Sequence, residues 1–266
     1  MNINNVKLVY FSPTGTNEAI LKSIAGGLAV DDVETVNLTR ESSLEHETLE
    51  FNEDVVILAA PVYAGRIPLT AIERFMKIKA NHSLAIVVVV YGNRAYDDAL
   101  LELKDLAVDV GFRVIAGAAF IGEHSFSSGE FPVADNRPDD QDIREAINFG
   151  YRIKEKILTL DTIRDAKEFE VPGHYPYQER SPSMHISPVS NENCEGCGLC
   201  VELCPTSAIY IDDVAISDSE MCILCSACIK GCPEKARFWE SDNILEKARY
   251  LTENCSERKE PEVFGL

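Results

Sequence analysis

Four short apolar runs punctuate the first 160 residues: Val6–Phe11, Val55–Ala60, Leu84–Tyr91 and Phe112–Ile121, each rich in β-branched residues. Runs without polar alternation fit parallel strands buried on both faces. A weaker run, Glu34–Leu38, reads as a half-exposed edge strand. Between these runs the apolar positions step at helical spacing. Ile20, Ile24 and Leu28 share one face, as do Leu100, Leu103, Ala107 and Val110, while Ala146, Ile153, Ile157 and Leu160 line a longer helix. Five strands alternating with helices predict an open, doubly wound parallel α/β sheet. Ligands of such sheets bind at the carboxyl ends of the strands.

The pattern changes near residue 161. Pro172, Pro176, Pro182 and Pro188, with Gly173, mark residues 161–189 as an ordered but irregular connector. Residues 190–240 contain an internal repeat. From Asp242 to about Glu253 the chain reads as helix, and the rest of 241–266 as a fraying charged tail. The expected organisation is therefore a sheet domain at 1–160, the connector, a small domain at 190–240 and a C-terminal helix and tail.

The repeat is one of cysteines. Cys194, Cys197, Cys200, Cys204 and Pro205 recur 28 residues later as Cys222, Cys225, Cys228, Cys232 and Pro233. Identical spacing at every position means two copies of one structural unit. Each copy reads C-x2-C-x2-C-x3-C-P, the run of bacterial ferredoxins, whose fourth cysteine serves the other cluster. Three thiolates in one coil of chain can wrap a corner of a cubane, and the fourth, before a proline, points away. That implies one [4Fe–4S] cluster on Cys194, Cys197, Cys200 and Cys232, and another on Cys222, Cys225, Cys228 and Cys204. Structural zinc favours C-x2-C pairs from separate loops instead. Gly196, Gly198, Ser226, Ala227 and Gly231 are small enough to let backbone amides approach sulfur. The ninth cysteine, Cys255, lies outside the repeat and reads as an incidental thiol.

Composition narrows the setting. At 45% hydrophobic and 26% charged over 266 residues, the chain is an ordinary globular one. Its longest wholly apolar run is far short of the ~18 residues of a membrane span. The opening MNINNVKLVYF has neither a basic n-region nor a cleavage-like site, so a cytoplasmic location is expected. Disulfides do not persist there. A formal charge of −19 argues against nucleic acid and membrane partners. The acidity is uneven: residues 1–160 carry net −9 and residues 186–266 net −8 in half the length.

Three loops at predicted strand ends carry candidate chemistry. Ser12-Pro13-Thr14-Gly15-Thr16-Asn17 joins the first strand to a helix, and its hydroxyls and amides make an anion site without a basic side chain. Neither a Walker-type loop nor a G-x-G-x-x-G fingerprint is present. Pro61-Val62-Tyr63-Ala64-Gly65-Arg66 and Tyr91-Gly92-Asn93-Arg94-Ala95-Tyr96-Asp97 bring aromatic rings and glycines to central strand ends, where a flat cofactor would be sandwiched. His124 follows the fifth strand. His46, His82, His174 and His185 show no ligand spacing.

On these motifs the first 160 residues resemble a flavodoxin. Ser12–Asn17 is similar to its phosphate loop, [ST]-x-T-G-x-T, with Asn17 replacing the last threonine. Gly92-Asn93-x-x-Tyr96 is similar to its flavin-edge loop, with Asn93 replacing an aspartate. Residues 190–240 resemble a small α+β two-cluster ferredoxin. Together they look like a flavodoxin–ferredoxin fusion of anaerobes, which implies FMN beside two [4Fe–4S] clusters. The expected function is electron transfer between clusters and FMN and on to redox proteins with basic docking surfaces. Such a role needs no acid, base or nucleophile. The alternative is a ferredoxin-fed FMN reductase of a small molecule such as a quinone, with Arg66, Arg94 and His124 near the ring. The sequence leaves open whether electrons stay within one chain or cross between two copies of a homodimer.

Overall fold

The computed structural model describes residue 3, residues 5–40 and residues 48–266. His46 lies outside the described residues. The main sheet is built from β1 (Asn5–Tyr10), β2 (Asp32–Asn37), β4 (Val55–Pro61), β6 (Leu84–Tyr91) and β7 (Arg113–Ile121). These five strands are parallel and ordered β2-β1-β4-β6-β7. Counted among themselves they run 2-1-3-4-5, the flavodoxin-type order, with its switch point beside β1. Every residue of β4 and β6 is buried, as their unbroken apolar runs require, whereas β2 is exposed along most of its length. One face of the sheet is covered by α1 (Thr16–Leu28) and α4 (Asp140–Leu158), the other by α2 (Leu69–Phe75) and α3 (Ala99–Asp109). Where α1 meets α4 the backbones touch: a Cβ on Gly150 would lie 2.1 Å from the Ile24 carbonyl oxygen.

Two features were not expected. A separate parallel pair forms from β3 (Leu49–Asn52) and β5 (Ile78–Asn81). The C-terminal segment does not fray. It returns to the sheet as β12 (Glu262–Phe264) and pairs antiparallel with β7, making a sixth strand. Val263 and Phe264 alternate, as strand residues must, between the two apolar cores.

The small lobe contains β8 (Val189–Ser190), α5 (Leu199–Leu203), β9 (Ile209–Asp212), β10 (Val214–Ser217), α6 (Ala227–Lys230) and β11 (Arg237–Phe238). β9 and β10 form a hairpin, and β11 pairs antiparallel with β8. The amphipathic α7 (Asp242–Asn254) follows, burying Ile244, Ala248 and Leu251. The connector is irregular apart from one 3-10 turn at Ile163–Asp165. It is nevertheless firmly held: Asp98 accepts from the amides of His174 (2.9 Å) and Gln178 (2.7 Å), and Tyr177 donates to Asp105 (2.7 Å). Among the described residues no helix is long and apolar enough to cross a membrane.

Candidate functional site

The loop after β1 is shaped by Gly15, whose φ of 82° is one that L side chains rarely adopt. It turns the chain so that α1 begins at Thr16. The Ser12 hydroxyl accepts from the Glu18 amide at 3.4 Å, and the Ser12 amide donates to the Thr39 hydroxyl at 2.8 Å. The amides of Thr16 and Asn17 lie in the first turn of the helix, where no intrahelical acceptor exists. Asn17 is 1% exposed and its Oδ1 has no partner. Unanswered backbone amides and the positive end of a helix together fit a phosphate-sized anion, whereas the orphaned Asn17 Oδ1 is an acceptor and does not contribute to it.

The second loop is a tight turn closed by reciprocal backbone bonds between Tyr63 and Arg66 (2.8 and 3.2 Å). Its two central residues, Ala64 and Gly65, have positive φ. The Tyr63 hydroxyl bonds Ser125, and burial pushes the phenol well up. Arg66 turns the other way. Its guanidinium grips Glu102 at 2.9 and 2.6 Å, donates to the Gln178 carbonyl at 2.6 Å and stacks 4.5 Å from the Tyr177 ring.

The third loop is pinned by the C-terminal segment. Asn93, with φ 63°, donates to the carbonyls of Cys255 (2.6 Å) and Glu257 (2.8 Å), leaving its buried Oδ1 without a partner. Tyr96 stands edge-on to Tyr91 at 5.3 Å and donates to Glu262 at 3.0 Å. Arg94 pairs with Asp97. Gly92 packs on the His124 ring, only 2.3 Å from where a Cβ would sit. His124 Nδ1 accepts from the Phe126 amide at 3.0 Å, which leaves Nε2 carrying the proton. Burial, with the charges of Lys230 and Arg94, pushes its pKa down to about 4. His174 and His185 face Asp98 and Glu220, and His82 joins no group of ligands.

The cysteines gather into two fours. Cys194, Cys197, Cys200 and Cys232 line one small cavity, and Cys204, Cys222, Cys225 and Cys228 line another. Two copies of one coil build them: Gly196 and Gly198 have positive φ, and so do Leu224 and Ser226 at the same places 28 residues on. Backbone amides do approach sulfur. Ala208 donates to Cys204, Ala236 to Cys232 and Ala215 to Cys194, each at 3.3 Å. Four sulfurs around each cavity, with amides aimed at them, fit the donor chemistry of iron–sulfur clusters.

The two groups stand differently. Cys225 and Cys228 are buried, whereas Cys197 is exposed. The Cys222 group is held against the sheet domain. Ile223 packs into the α2–α3 core, Arg74 donates to the Pro205 carbonyl, Lys230 pairs with Glu123, and Phe126 stands edge-on to Trp239 at 5.7 Å. Sequence reasoning passed over Phe126, Trp239 and Arg74, since each acts through a partner remote in the chain.

Comparison with known proteins bears on both halves. Residues 193–236 match the family model of the 4Fe-4S dicluster domain. No match was found among curated proteins. Similar solved structures include a Fusobacterium nucleatum flavodoxin bound to flavin mononucleotide, at 18% identity and TM-score 0.39 over 57% of this chain and 98% of that one. Others are the two-electron reduced Megasphaera elsdenii flavodoxin (24%, 0.34, over 53% and 97%) and rubredoxin oxygen:oxidoreductase from Desulfovibrio gigas (14%, 0.39, over 59% and 37%). The chain joins a parallel sheet of 2-1-3-4-5 order to a segment, residues 193–236, that belongs to the 4Fe-4S dicluster family.

Proposed function

We propose that this protein relays low-potential electrons between two [4Fe–4S] clusters and an FMN, and on to partner proteins. The observation that carries this reading is the Cys222 group docked on the sheet domain, with Ile223 packed into the α2–α3 core, Arg74 bonded to the Pro205 carbonyl and Lys230 paired with Glu123 just past the end of β7. Cys222, Cys225, Cys228 and Cys204 would hold an inner cluster, and Cys194, Cys197, Cys200 and Cys232 an outer one. Thr14, Gly15, Thr16 and Asn17 would hold the FMN phosphate through amides and hydroxyls, and Tyr63, Gly92 and His124 would border its ring. When bound, the clusters supply one-electron steps, and the flavin one- or two-electron steps. The protein's own contribution is to fix orientation, exclude water and shape the local field.

The outer group is the port for partners in this reading. Exposed Cys197 lies with Leu199 and Ile211, which are 37% and 38% exposed, and with the acids Glu195 and Glu234. An apolar centre with an acidic rim suits a redox protein whose docking face is basic.

The test is composition. Protein purified without oxygen should carry about eight irons, matching sulfide and one FMN per chain, as two cubanes and one flavin require. Zinc without acid-labile sulfide would overturn the proposal. A second reading, a reductase of a small organic substrate, is favoured by one feature. A cleft of about 840 Å³ opens beside Tyr91 and Tyr96, closed by Gly173 and His174 of the connector and Lys259 of the tail. Steady turnover of a quinone without any second protein acceptor would select that reading.

A further inference from the structure

Arg237 breaks the internal symmetry of the cysteine repeat. Twenty-eight residues earlier the equivalent position is Ile209, a buried apolar residue of the small lobe's core. The flanking residues obey the repeat: Ala208 and Ala236 each donate to the preceding cysteine. One interior position is therefore aliphatic in the first copy and cationic in the second.

The cation is deeply placed. Arg237 is 2% exposed. Nη1 donates to the Ser190 hydroxyl and the Ala215 carbonyl, both at 2.9 Å, while Nη2 donates to the Pro188 carbonyl at 2.9 Å and to the Ser217 hydroxyl. All four acceptors are neutral. Among the described residues no carboxylate pairs with it. Nε is buried and has no partner at all. A buried ion without a counter-charge is costly, so such groups are normally paired or neutralised. Arginine does not escape by losing its proton.

What faces it is sulfur. Arg237 lines the cavity of the Cys194 group. Its Nη2 reaches the other side, bonding Pro188 and Ser217, which line the cavity of the Cys222 group. Four thiolates around an oxidised cubane leave a net negative centre, and each reduction adds one more negative charge. A fixed cation beside both centres stabilises the reduced form over the oxidised one.

We propose that Arg237 is the buried counter-charge of both clusters and raises both their reduction potentials. The proposal rests on the cluster reading above. It makes Arg237 a tuning residue and not a ligand. Copying the first repeat at this position should undo the effect.

The experiment compares wild type with Arg237→Ile, Arg237→Gln and Arg237→Lys as full-length, anaerobically purified protein. Iron and sulfide are counted first, because their absence in wild type would refute the cluster reading itself. Each centre is then titrated electrochemically with paramagnetic resonance detection. At fixed poise the Ile and Gln variants should show a reduced-to-oxidised ratio at least about tenfold lower at both centres, about 59 mV for a one-electron couple. Lys should keep most of the wild-type potential. Unchanged potentials in the neutral variants, or a shift with Lys as large as with Gln, would overturn the proposal. If the neutral variants lose iron, retention by Lys supports the counter-charge, and loss by Lys as well overturns it.

Discussion

Glu102 holds the second strand-end loop in place, and removing it should open that loop measurably. Its carboxylate accepts from Arg66 at 2.9 and 2.6 Å, from Arg180 at 2.8 Å and from the buried Ile67 amide at 2.9 Å. The Arg66 and Glu102 side chains are 11% and 8% exposed. Glu102→Ala therefore strands a largely buried guanidinium, a loss of about 3–5 kcal/mol for a buried pair. The Ile67 amide adds about 1–3 kcal/mol as an unmet donor. Arg180, at 27% exposure, adds little. Water entering the gap recovers part of this, so about 3 kcal/mol is expected for local opening of residues 61–72. Opening of that size costs roughly a hundredfold in amide protection. Hydrogen exchange on the intact protein reads it peptide by peptide. Glu102→Gln, which keeps an acceptor for Ile67, should lose less. A less than fivefold loss of protection in Glu102→Ala, or equal losses in Ala and Gln, would refute the argument.

Three further outcomes follow from the site. Thr14→Glu places a carboxylate in the phosphate-type loop; flavin should be released while iron and sulfide stay unchanged, and retained flavin would show that the loop is not the anion site. His124 titrates near 4 in the fold against an ordinary value of 6.5. A depressed histidine stabilises the fold above its unfolded pKa, and that contribution fades below it, by roughly 2 kcal/mol at pH 5. The thermal midpoint should fall between pH 7 and pH 5, and His124→Gln should flatten the fall; equal pH dependence in both proteins would count against a neutral buried imidazole. Truncation after Cys255 removes the Asn93 acceptor at Glu257, the Arg137 acceptor at Lys259 and all of β12. At about 1 kcal/mol per hydrogen bond plus the packing of Val263 and Phe264, several kcal/mol should be lost. An unshifted melting temperature would contradict a strapped tail.

The sheet was readable because strands buried on both faces have no choice but unbroken apolar sequence. β6 matches the run Leu84–Tyr91 end to end, and the other strands differ by a residue or two. The cysteine groups were readable because ligand spacing is itself the signal. β12 was not, since three residues in an acidic tail carry no period of their own and pair only because the edge of β7 is open to them. Asn93 shows the same limit within the site. Its place in a glycine-bearing loop suggested a ligand contact, yet its donor meets carbonyls more than 160 residues away. Arg237 was visible in principle. Comparing the two copies residue by residue, beyond the cysteines, exposes an arginine opposite Ile209.

The connector and the tail, which motifs left without a role, would make the two domains one device in the proposed relay. A loose linker would let the cysteine lobe wander, and a relay depends on a fixed separation between its centres. Here the connector is bound to the second and third loops through Glu102 and Asp98. The tail is bound to the third loop through Asn93 and Tyr96, and to the sheet edge through β12. Chain therefore leaves the cysteine lobe at both ends and is tied down on the loops that border the candidate flavin. Any change that loosens those loops also releases a tether of the lobe. Flavin loss and loosening of the cysteine lobe should consequently occur together in Glu102→Ala and in the tail truncation, whereas Thr14→Glu should release flavin and leave the lobe as firmly held as in wild type.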